Sequence, residues 1–142
     1  WYNYRLTDMQ CALGSSQLKK LAGWIERRNE LAALYSAKLA GSTASPLHHR
    51  DDCHHAYHLY VVRVPCRDQV YAALRECGIG ANVHYVPVYF HPYYKERFGN
   101  LSGLCPTTEA AFEEILTLPL WPGMVGADVD RVCEAIFLAS GM

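Results

Sequence analysis

The sequence predicts an α+β fold in which a small antiparallel sheet of about three strands packs against helices. Three observations support this prediction. Apolar residues recur at helical spacing near both ends of the chain. Between them lie short runs rich in β-branched and aromatic residues, bounded by Gly and Pro. No internal repeat or low-complexity tract interrupts the order helix-helix-strand-helix-strand-helix-strand-helix, so we expect a single domain over residues 1–142.

Two helices are predicted at the start of the chain. Thr7 and Gln10 have the spacing of a capping box, so a helix should run from Thr7 to about Lys20, with Gly14 as a weak point. A second helix should follow and end at Gly41. Its apolar face comprises Leu21, Trp24, Ile25, Ala32, Tyr35 and Leu39.

Strands and shorter helices alternate in the rest of the chain. The predicted strands are residues 56–64, 81–86 and 116–118, and the predicted short helices are residues 69–77 and 108–115. Residues 42–46 and 87–106 are predicted to be irregular, apart from a turn of helix near Tyr94. The final helix has an apolar stripe at the spacing i, i+3, i+4, i+7, i+8, formed by Val129, Val132, Cys133, Ile136 and Phe137.

Composition and charge exclude several classes of protein. The chain is 51% hydrophobic and 19% charged, and its net charge of −1 gives no electrostatic footprint for nucleic acid or an anionic membrane. No apolar run approaches the roughly 20 residues of a membrane span, and the first residues lack the features of a secretory signal peptide. The six cysteines form no Cys-x-x-Cys pair, and we interpret them as small buried thiols of a cytoplasmic protein.

Asn3 and Arg5 are the first candidate binding residues. An amide donor beside a guanidinium suits a phosphate, because the guanidinium fork can bond two phosphate oxygens. The alternative interpretation is that Arg5 is only solvated at a polar edge.

A second candidate group consists of His84, Tyr85, Tyr93 and Tyr94. Aromatic rings with polar tips suit a sugar nucleotide, because their faces cover rings and their tips bond phosphates. Alternation along the predicted strand should place His84 and Tyr85 on opposite faces. For the tyrosines, half-buried packing is an open alternative.

A histidine-rich stretch resembles a metal site at first sight. Its members are His48, His49, His54, His55 and His58, with Cys53 among them. The spacing matches no standard zinc pattern, so we interpret the stretch as a solvated loop and predict no metal site.

Several motifs occur in a fixed order along essentially the whole chain. They are Asn-Tyr-Arg-Leu-Thr-Asp-Met-Gln-Cys-Ala-Leu-Gly at 3–14, His-Leu-Tyr-Val-Val at 58–62, Gly-Ile-Gly-Ala-Asn-Val-His-Tyr-Val-Pro-Val at 78–88, Tyr-Tyr at 93–94, Leu-Thr-Leu-Pro-Leu-Trp-Pro-Gly-Met at 116–124 and Asp-Val-Asp-Arg-Val at 128–132. In these motifs the chain resembles the DegT/DnrJ/EryC1/StrS sugar aminotransferases. The His-Tyr-x-Pro-Val run followed by Tyr-Tyr is most similar to the branch that aminates 4-keto sugars on a UDP carrier.

Val125 and Gly126 depart from the family, which has a hydroxyl cap and an acid there, so we expect the first turn of the last helix to fray.

The resemblance implies a pyridoxal-phosphate (PLP) enzyme of fold type I, of which this chain would be the C-terminal small domain. In such an enzyme, Asn3 and Arg5 would reach across a homodimer interface to the cofactor phosphate of the other subunit. His84, Tyr85 and Tyr94 would lie beside a nucleotide-sugar substrate.

The groups that perform the family's chemistry are missing from this chain. Its lysines are Lys19, Lys20, Lys38 and Lys95, and none stands in the family's Ser-x-x-Lys context. No segment supplies the aspartate that faces the pyridinium nitrogen. We therefore expect no catalytic residue on this chain, no cofactor bound to it alone and no activity without the missing large PLP domain. The alternative is a stand-alone binding or assembly module derived from that domain. A first residue other than Met suggests a fragment, a trimmed sequence or an incomplete reading frame.

Overall fold

The computed structural model describes residue 2 and residues 4–140 of the chain. Its helices and strands, in chain order, are α1 (Asp8–Leu39), β1 (Ser45–Pro46), β2 (Tyr60–Arg63), α2 (Arg67–Glu76), α3 (Pro92–Phe98), α4 (Pro106–Glu114), β3 (Ile115–Leu118) and α5 (Gly126–Ala139). The strands form one antiparallel sheet in the order β1-β2-β3, with Tyr60 opposite Leu118 and Arg63 opposite Ile115. The predicted α+β fold with a small three-stranded antiparallel sheet is therefore confirmed.

One continuous helix, α1, replaces the two helices predicted at the start of the chain. The predicted capping box is present: Gln10 N–H donates to Thr7 Oγ1, and Thr7 N–H donates to Gln10 Oε1 at 2.9 Å. Gly14 lies within the helix and does not interrupt it. A single glycine costs a helix only about 1 kcal/mol relative to alanine, which the neighbouring turns of a long helix offset.

The strand predicted at residues 56–64 is shorter in the structure, Tyr60–Arg63, and two other predictions about the sheet are wrong. Residues 81–86 form no strand, because only Asn82 pairs with Thr117 as an isolated bridge. The Asn82 side chain accepts the N–H of Val83 at 2.8 Å, so a local bond takes a donor that a ladder would need. In contrast, Ser45 and Pro46, predicted as loop, form β1. Proline is tolerated there because β1 is an edge strand.

The core lies between the sheet and the second half of α1, together with α2 and α5. The largest fully buried side chains are Leu31, Tyr35, Leu39, Val62, Val64, Val70, Leu74, Leu116, Leu118, Met124, Val129 and Ile136. The Tyr35 and Tyr60 rings stack with centroids 4.9 Å apart. Tyr35 donates its hydroxyl to Pro119 O at 3.0 Å, and the hydroxyls of Tyr60 and Ser36 are bonded at 2.9 Å, so both phenols enter the core with partners.

The buried phenols should make the domain sensitive to alkaline pH. Burial raises the pKa of Tyr60 to about 12 and that of the Cys133 thiol to about 11. Unfolded tyrosine ionises near pH 10, so above that pH the unfolded chain loses a proton that the folded chain keeps. The Tyr60 contribution to stability is thus complete below about pH 10 and is lost as pH rises toward 12. In urea unfolding from pH 8 to 11.5, Tyr60→Phe should give a shallower decline than wild type, whereas Tyr4→Phe, at an exposed position, should not. An identical decline in Tyr60→Phe and wild type would contradict this assignment.

The cysteines do not match the prediction of buried thiols. Only Cys133 is buried, and the other five are exposed. Cys11, for example, lies on a part of α1 that packs against nothing described, so a helical position alone did not determine burial.

Although α1 is long enough to cross a bilayer, no helix among the described residues is apolar enough to do so.

Candidate ligand-binding site

His84 is fixed to the sheet by polar contacts. Its Nδ1 lies 2.8 Å from Thr117 Oγ1, and its Nε2 lies 3.4 Å from Asn82 Nδ2. Thr117 is buried in β3, and its backbone exchanges hydrogen bonds with Asn82 at 2.7 and 3.1 Å. An amide nitrogen can only donate, so this arrangement assigns Nε2 as its acceptor and Nδ1–H as the donor to Thr117. The imidazole is half-buried and held in one orientation.

Tyr85 lies beside His84 and not on the opposite face. The two rings meet edge to face with centroids 4.6 Å apart, and Tyr85 is 73% exposed. The prediction of opposite faces is wrong because residues 83–87 are not a strand, so their side chains do not alternate. The structure thus brings His84 and Tyr85 together as one surface with a polar atom on each ring.

Tyr93 and Tyr94 belong to residues 88–105, which we call the aromatic segment. It begins with a 3₁₀ turn at Val88–Phe90 and continues into α3, so the predicted turn of helix near Tyr94 is confirmed and is two turns long. The Tyr93 and Tyr94 rings meet edge to face at 5.2 Å, and the Tyr94 ring is stacked near Phe98 at 6.3 Å. Every residue of α3 is exposed. The rings are therefore available to a ligand and do not form part of the core.

Arg5 lies ahead of a protruding helix, whereas Asn3 lies outside the described residues. Arg5 is exposed, and so is every residue from 8 to 24. Ile25 is the first residue of α1 that is not exposed. At 1.5 Å per residue, Arg5 stands about 30 Å from the point where α1 joins the domain body. The structure does not bring Arg5 into the surface formed by His84 and Tyr85, which lies on the sheet.

The protruding half of α1 has an apolar face. Met9, Leu13, Leu21 and Trp24 fall within about a third of the helix circumference, at 100° per residue, and Gln10, Gln17 and Lys20 lie in the same sector. The buried residues of the second half of α1 lie at the same angles; they are Leu31, Ala32, Tyr35 and Leu39. An apolar stripe, interrupted in the protruding half by polar residues, thus runs along the helix, and only its second half is covered within the described part of the chain. We call the uncovered part the free face of α1.

The histidine-rich stretch is an exposed loop, as predicted. No group of three or more His, Cys, Asp or Glu residues suited to a metal ion occurs within residue 2 and residues 4–140. The rings pack against one another instead, with His55 4.3 Å from Tyr57 and His49 5.9 Å from His55. They line an open groove of about 730 Å³ beside β1 and β2.

Three polar residues of α1 hold the ends of the strands, and the sequence analysis missed them. Arg28 Nη1 donates to Tyr57 O at 2.8 Å, to Leu120 O at 3.1 Å and to His58 O at 3.4 Å. Arg27 donates to Met124 O, and Asn29 donates to His55 O, both at 2.8 Å. These bonds fix the chain just before β2 and just after β3. No sequence pattern pointed to them, because their partners are backbone carbonyls that lie far along the chain.

The candidate site thus carries groups suited to binding a ligand, and among its described residues no nucleophile is paired with a base. His84 offers a fixed imidazole, and Tyr85 and Tyr94 offer ring faces and hydroxyls, which suit a ligand that combines rings with phosphates or hydroxyls. Arg5 offers a guanidinium suited to a phosphate. The four lysines are all exposed, and Lys38 is paired with Asp130.

Comparisons with known proteins agree with one another. The model of the DegT/DnrJ/EryC1/StrS aminotransferase family matches residues 2–137. The chain is 38% identical, over 145 aligned positions, to the spore coat polysaccharide biosynthesis protein SpsC of Bacillus subtilis (strain 168), with 95% of this chain and 37% of SpsC covered.

Two solved structures of similar fold are aminotransferases. Spr1654 from Streptococcus pneumoniae, assigned as a sugar aminotransferase and solved in a PLP form, has a TM-score of 0.89 and 30% identity, with 96% of this chain and 36% of Spr1654 covered. Helicobacter pylori PseC, an aminotransferase involved in the biosynthesis of pseudoaminic acid, has a TM-score of 0.88 and 26% identity, with 99% and 39% covered. The chain thus spans little more than a third of the length of these relatives.

Proposed function

Because this chain belongs to the DegT/DnrJ/EryC1/StrS aminotransferase family, we propose that it is the C-terminal small domain of a PLP-dependent sugar aminotransferase. The intact enzyme would transfer an amino group to a nucleotide-linked keto sugar. PLP is the cofactor of this family, and when bound in the large domain it supplies the electron sink for that transfer. The role of this chain is to close one side of the substrate pocket and to contribute Asn3 and Arg5 to the cofactor phosphate of a dimer partner.

The free face of α1 is the observation that best supports a missing large domain. Its residues continue the stripe that is buried further along the same helix, and Met9 and Leu13 are 83% and 62% exposed. Exposed apolar side chains gathered on one side of a helix favour an interface there. The relatives provide a candidate for the other side of that interface, since about two thirds of their length is not represented here.

The lysines of this chain support the same division of roles. A lysine that binds PLP covalently must be desolvated to lower its pKa or be held beside a base. Lys19, Lys20, Lys38 and Lys95 are instead exposed, and Lys95 lies 5.3 Å over the Phe90 ring. The covalent lysine is therefore expected in the large domain, and this chain alone is expected to be inactive.

His84, Tyr85 and Tyr94 are proposed to hold the sugar nucleotide. His84 is oriented by Thr117 and presents its ring beside Tyr85, while Tyr94 is accessible on α3. The UDP carrier is proposed from the His-Tyr-x-Pro-Val and Tyr-Tyr motifs. Intact enzyme should turn over a UDP-linked 4-keto sugar with a higher kcat/KM than the dTDP-linked counterpart.

The interface test uses this chain and the large domain as separate polypeptides. We expect the two to bind and to regain aminotransferase activity that neither has alone. Leu13→Glu, on the free face of α1, should weaken the binding by about 10- to 100-fold, the equivalent of burying one leucine. Ser15→Glu, on the opposite side of the same helix, is the matched control and should leave binding unchanged. Binding can be measured by titration calorimetry and activity by release of the deaminated donor.

The stand-alone module is the alternative outcome of that test. It would be favoured if the chain remains a clean monomer at high concentration in light scattering and does not bind the large domain. A chain that self-associates, and that Leu13→Glu converts to monomer, would support the covered interface.

A further inference from the structure

The carboxylate of Glu109, on α4, receives three hydrogen bonds from the aromatic segment. Oε1 accepts the Tyr89 hydroxyl at 2.9 Å, and Oε1 and Oε2 accept the N–H of Gly103 at 2.9 and 3.0 Å. Tyr89 lies near the start of the segment, and Gly103 lies near its end. A single side chain therefore joins both ends of the segment to α4.

The rest of the aromatic segment has little other support. Residues 91–100 are all exposed, so none of them is anchored in the core. The contacts inside the segment are mainly local: Tyr89 with Phe90 at 4.9 Å, Lys95 over Phe90 and Tyr93 with Tyr94. Local contacts keep α3 and the 3₁₀ turn together, but they do not fix both of them relative to β3.

Glu109 is suited to this role because it acts as a charged acceptor. Hydrogen bonds to a carboxylate are shorter and about twice as strong as neutral ones. Desolvation, followed by the bond to Glu109, raises the pKa of Tyr89 to about 12, in keeping with a phenol that donates its proton to a carboxylate. Gly103 has φ +88°, a conformation that suits glycine, and its N–H faces the carboxylate.

We propose that Glu109 is a positioning residue for substrate binding, which rests on the proposed function. It holds the aromatic segment so that Tyr94 stays at a fixed distance from His84 and Tyr85, which precede the segment. Glu109 does not touch the substrate. Its loss leaves the binding groups present but no longer preorganised, so affinity for the sugar nucleotide falls while the chemical step is unchanged.

The experiment compares variants of the intact enzyme that contains this chain. Glu109→Gln removes the charge and one acceptor, and Tyr89→Phe removes the donor. Each should raise the KM for the sugar nucleotide by about tenfold, the factor equivalent to one lost hydrogen bond, with kcat and the KM for the amino donor changed less than about twofold. The double variant should raise the KM by less than the product of the two single effects, because Glu109→Gln weakens the same bond that Tyr89→Phe removes. Glu113→Gln, an exposed position on the same helix, is the matched control and should behave as wild type.

Amide hydrogen exchange separates a positioning role from a purely structural one. In Glu109→Gln, exchange should accelerate at residues 88–105 while β2 and β3 keep their protection. Faster exchange together with the rise in KM supports the proposal. An unchanged KM, or a loss of protection throughout the domain, overturns it.

The same measurement distinguishes failure of this proposal from failure of the proposed function. If wild-type enzyme transfers no amino group to any sugar nucleotide, the proposed function is wrong. Amide hydrogen exchange at residues 88–105 then tests by itself whether Glu109 positions the aromatic segment. In that case, local acceleration in Glu109→Gln supports the positioning of the segment, and wild-type exchange overturns it.

Discussion

In heterodimers of the intact enzyme, the distribution of two mutations between the subunits is expected to decide whether activity remains. One mutation is Arg5→Ala, and the other replaces the cofactor-binding lysine of the large domain by alanine. If Arg5 acts across the dimer, each active site combines the lysine of one subunit with Arg5 of the other. Mutations on different subunits then leave one intact site, whereas both mutations on one subunit damage both sites. Doubly tagged heterodimers purified in each arrangement and assayed for amino transfer provide the measurement.

The single substitution has an expected magnitude as well. Arg5→Ala should weaken PLP retention by about 1.5–3 kcal/mol, the range for a hydrogen bond to a charged group. Asn3→Ala should cost less, because a neutral amide is the weaker donor. Lys19→Ala removes another exposed cation from the protruding part of α1 and serves as the control. Equal activity of the two heterodimer arrangements would show that Arg5 does not serve the other subunit.

Arg28→Ala is expected to lower the free energy of unfolding by about 3 kcal/mol, a large fraction of the total for a domain of this size. The Arg28 guanidinium is the donor for carbonyls at two separate places, before β2 and after β3. Its removal leaves those carbonyls with lost bonds in a partly buried region, and the penalty for unsatisfied groups exceeds the value of an average bond. Urea unfolding followed by circular dichroism measures the change.

Arg27→Ala is the matched control for that variant. Arg27 also donates to a carbonyl, that of Met124, but its other partner is Glu30 in an exposed pair, which contributes little. We expect a loss of only about 1 kcal/mol there. Arg28→Lys should recover part of the loss, because the shorter lysine side chain brings a charged nitrogen near the carbonyls but not to the position of Nη1, which donates all three bonds. Equal losses for Arg28→Ala and Arg27→Ala would contradict the bridging role assigned to Arg28.

The elements predicted correctly are those whose patterns are local. The Thr7–Gln10 capping box and the apolar stripe of α5 depend only on neighbours in sequence, and both are present in the structure. The expected fraying at the start of α5 is not seen, because Asp128 accepts the N–H of Val125 at 2.8 Å. That acid supplies one half of a capping box without the hydroxyl that the other half would need.

The residues of the candidate site also fall into those chosen from local motifs and those recognised only from contacts in the folded chain. The histidine and tyrosines could be chosen from motifs, because aromatic residues with polar tips stand close together in sequence. Thr117, Glu109 and Arg28 could not be chosen, since each acts on a partner whose proximity depends on the completed fold. The side-by-side placement of His84 and Tyr85 was missed for a related reason: the Val83 N–H donates to Asn82 Oδ1, a local bond that competes with strand pairing.

Because α1 is continuous, its protruding half moves together with the domain body. Because residues 8–24 continue without a break into the packed part of the helix, any rotation of the domain body turns Arg5 through the same angle. With an arm of about 30 Å, a rotation of about 5° moves the Arg5 end by about 2.6 Å, close to the length of a hydrogen bond. If His84 and Tyr94 hold a substrate and Arg5 holds a phosphate, as proposed, a small tilt that contacts on the free face of α1 do not oppose would make or break the phosphate contact at the far end of the helix. Geometry alone would couple the two ligands.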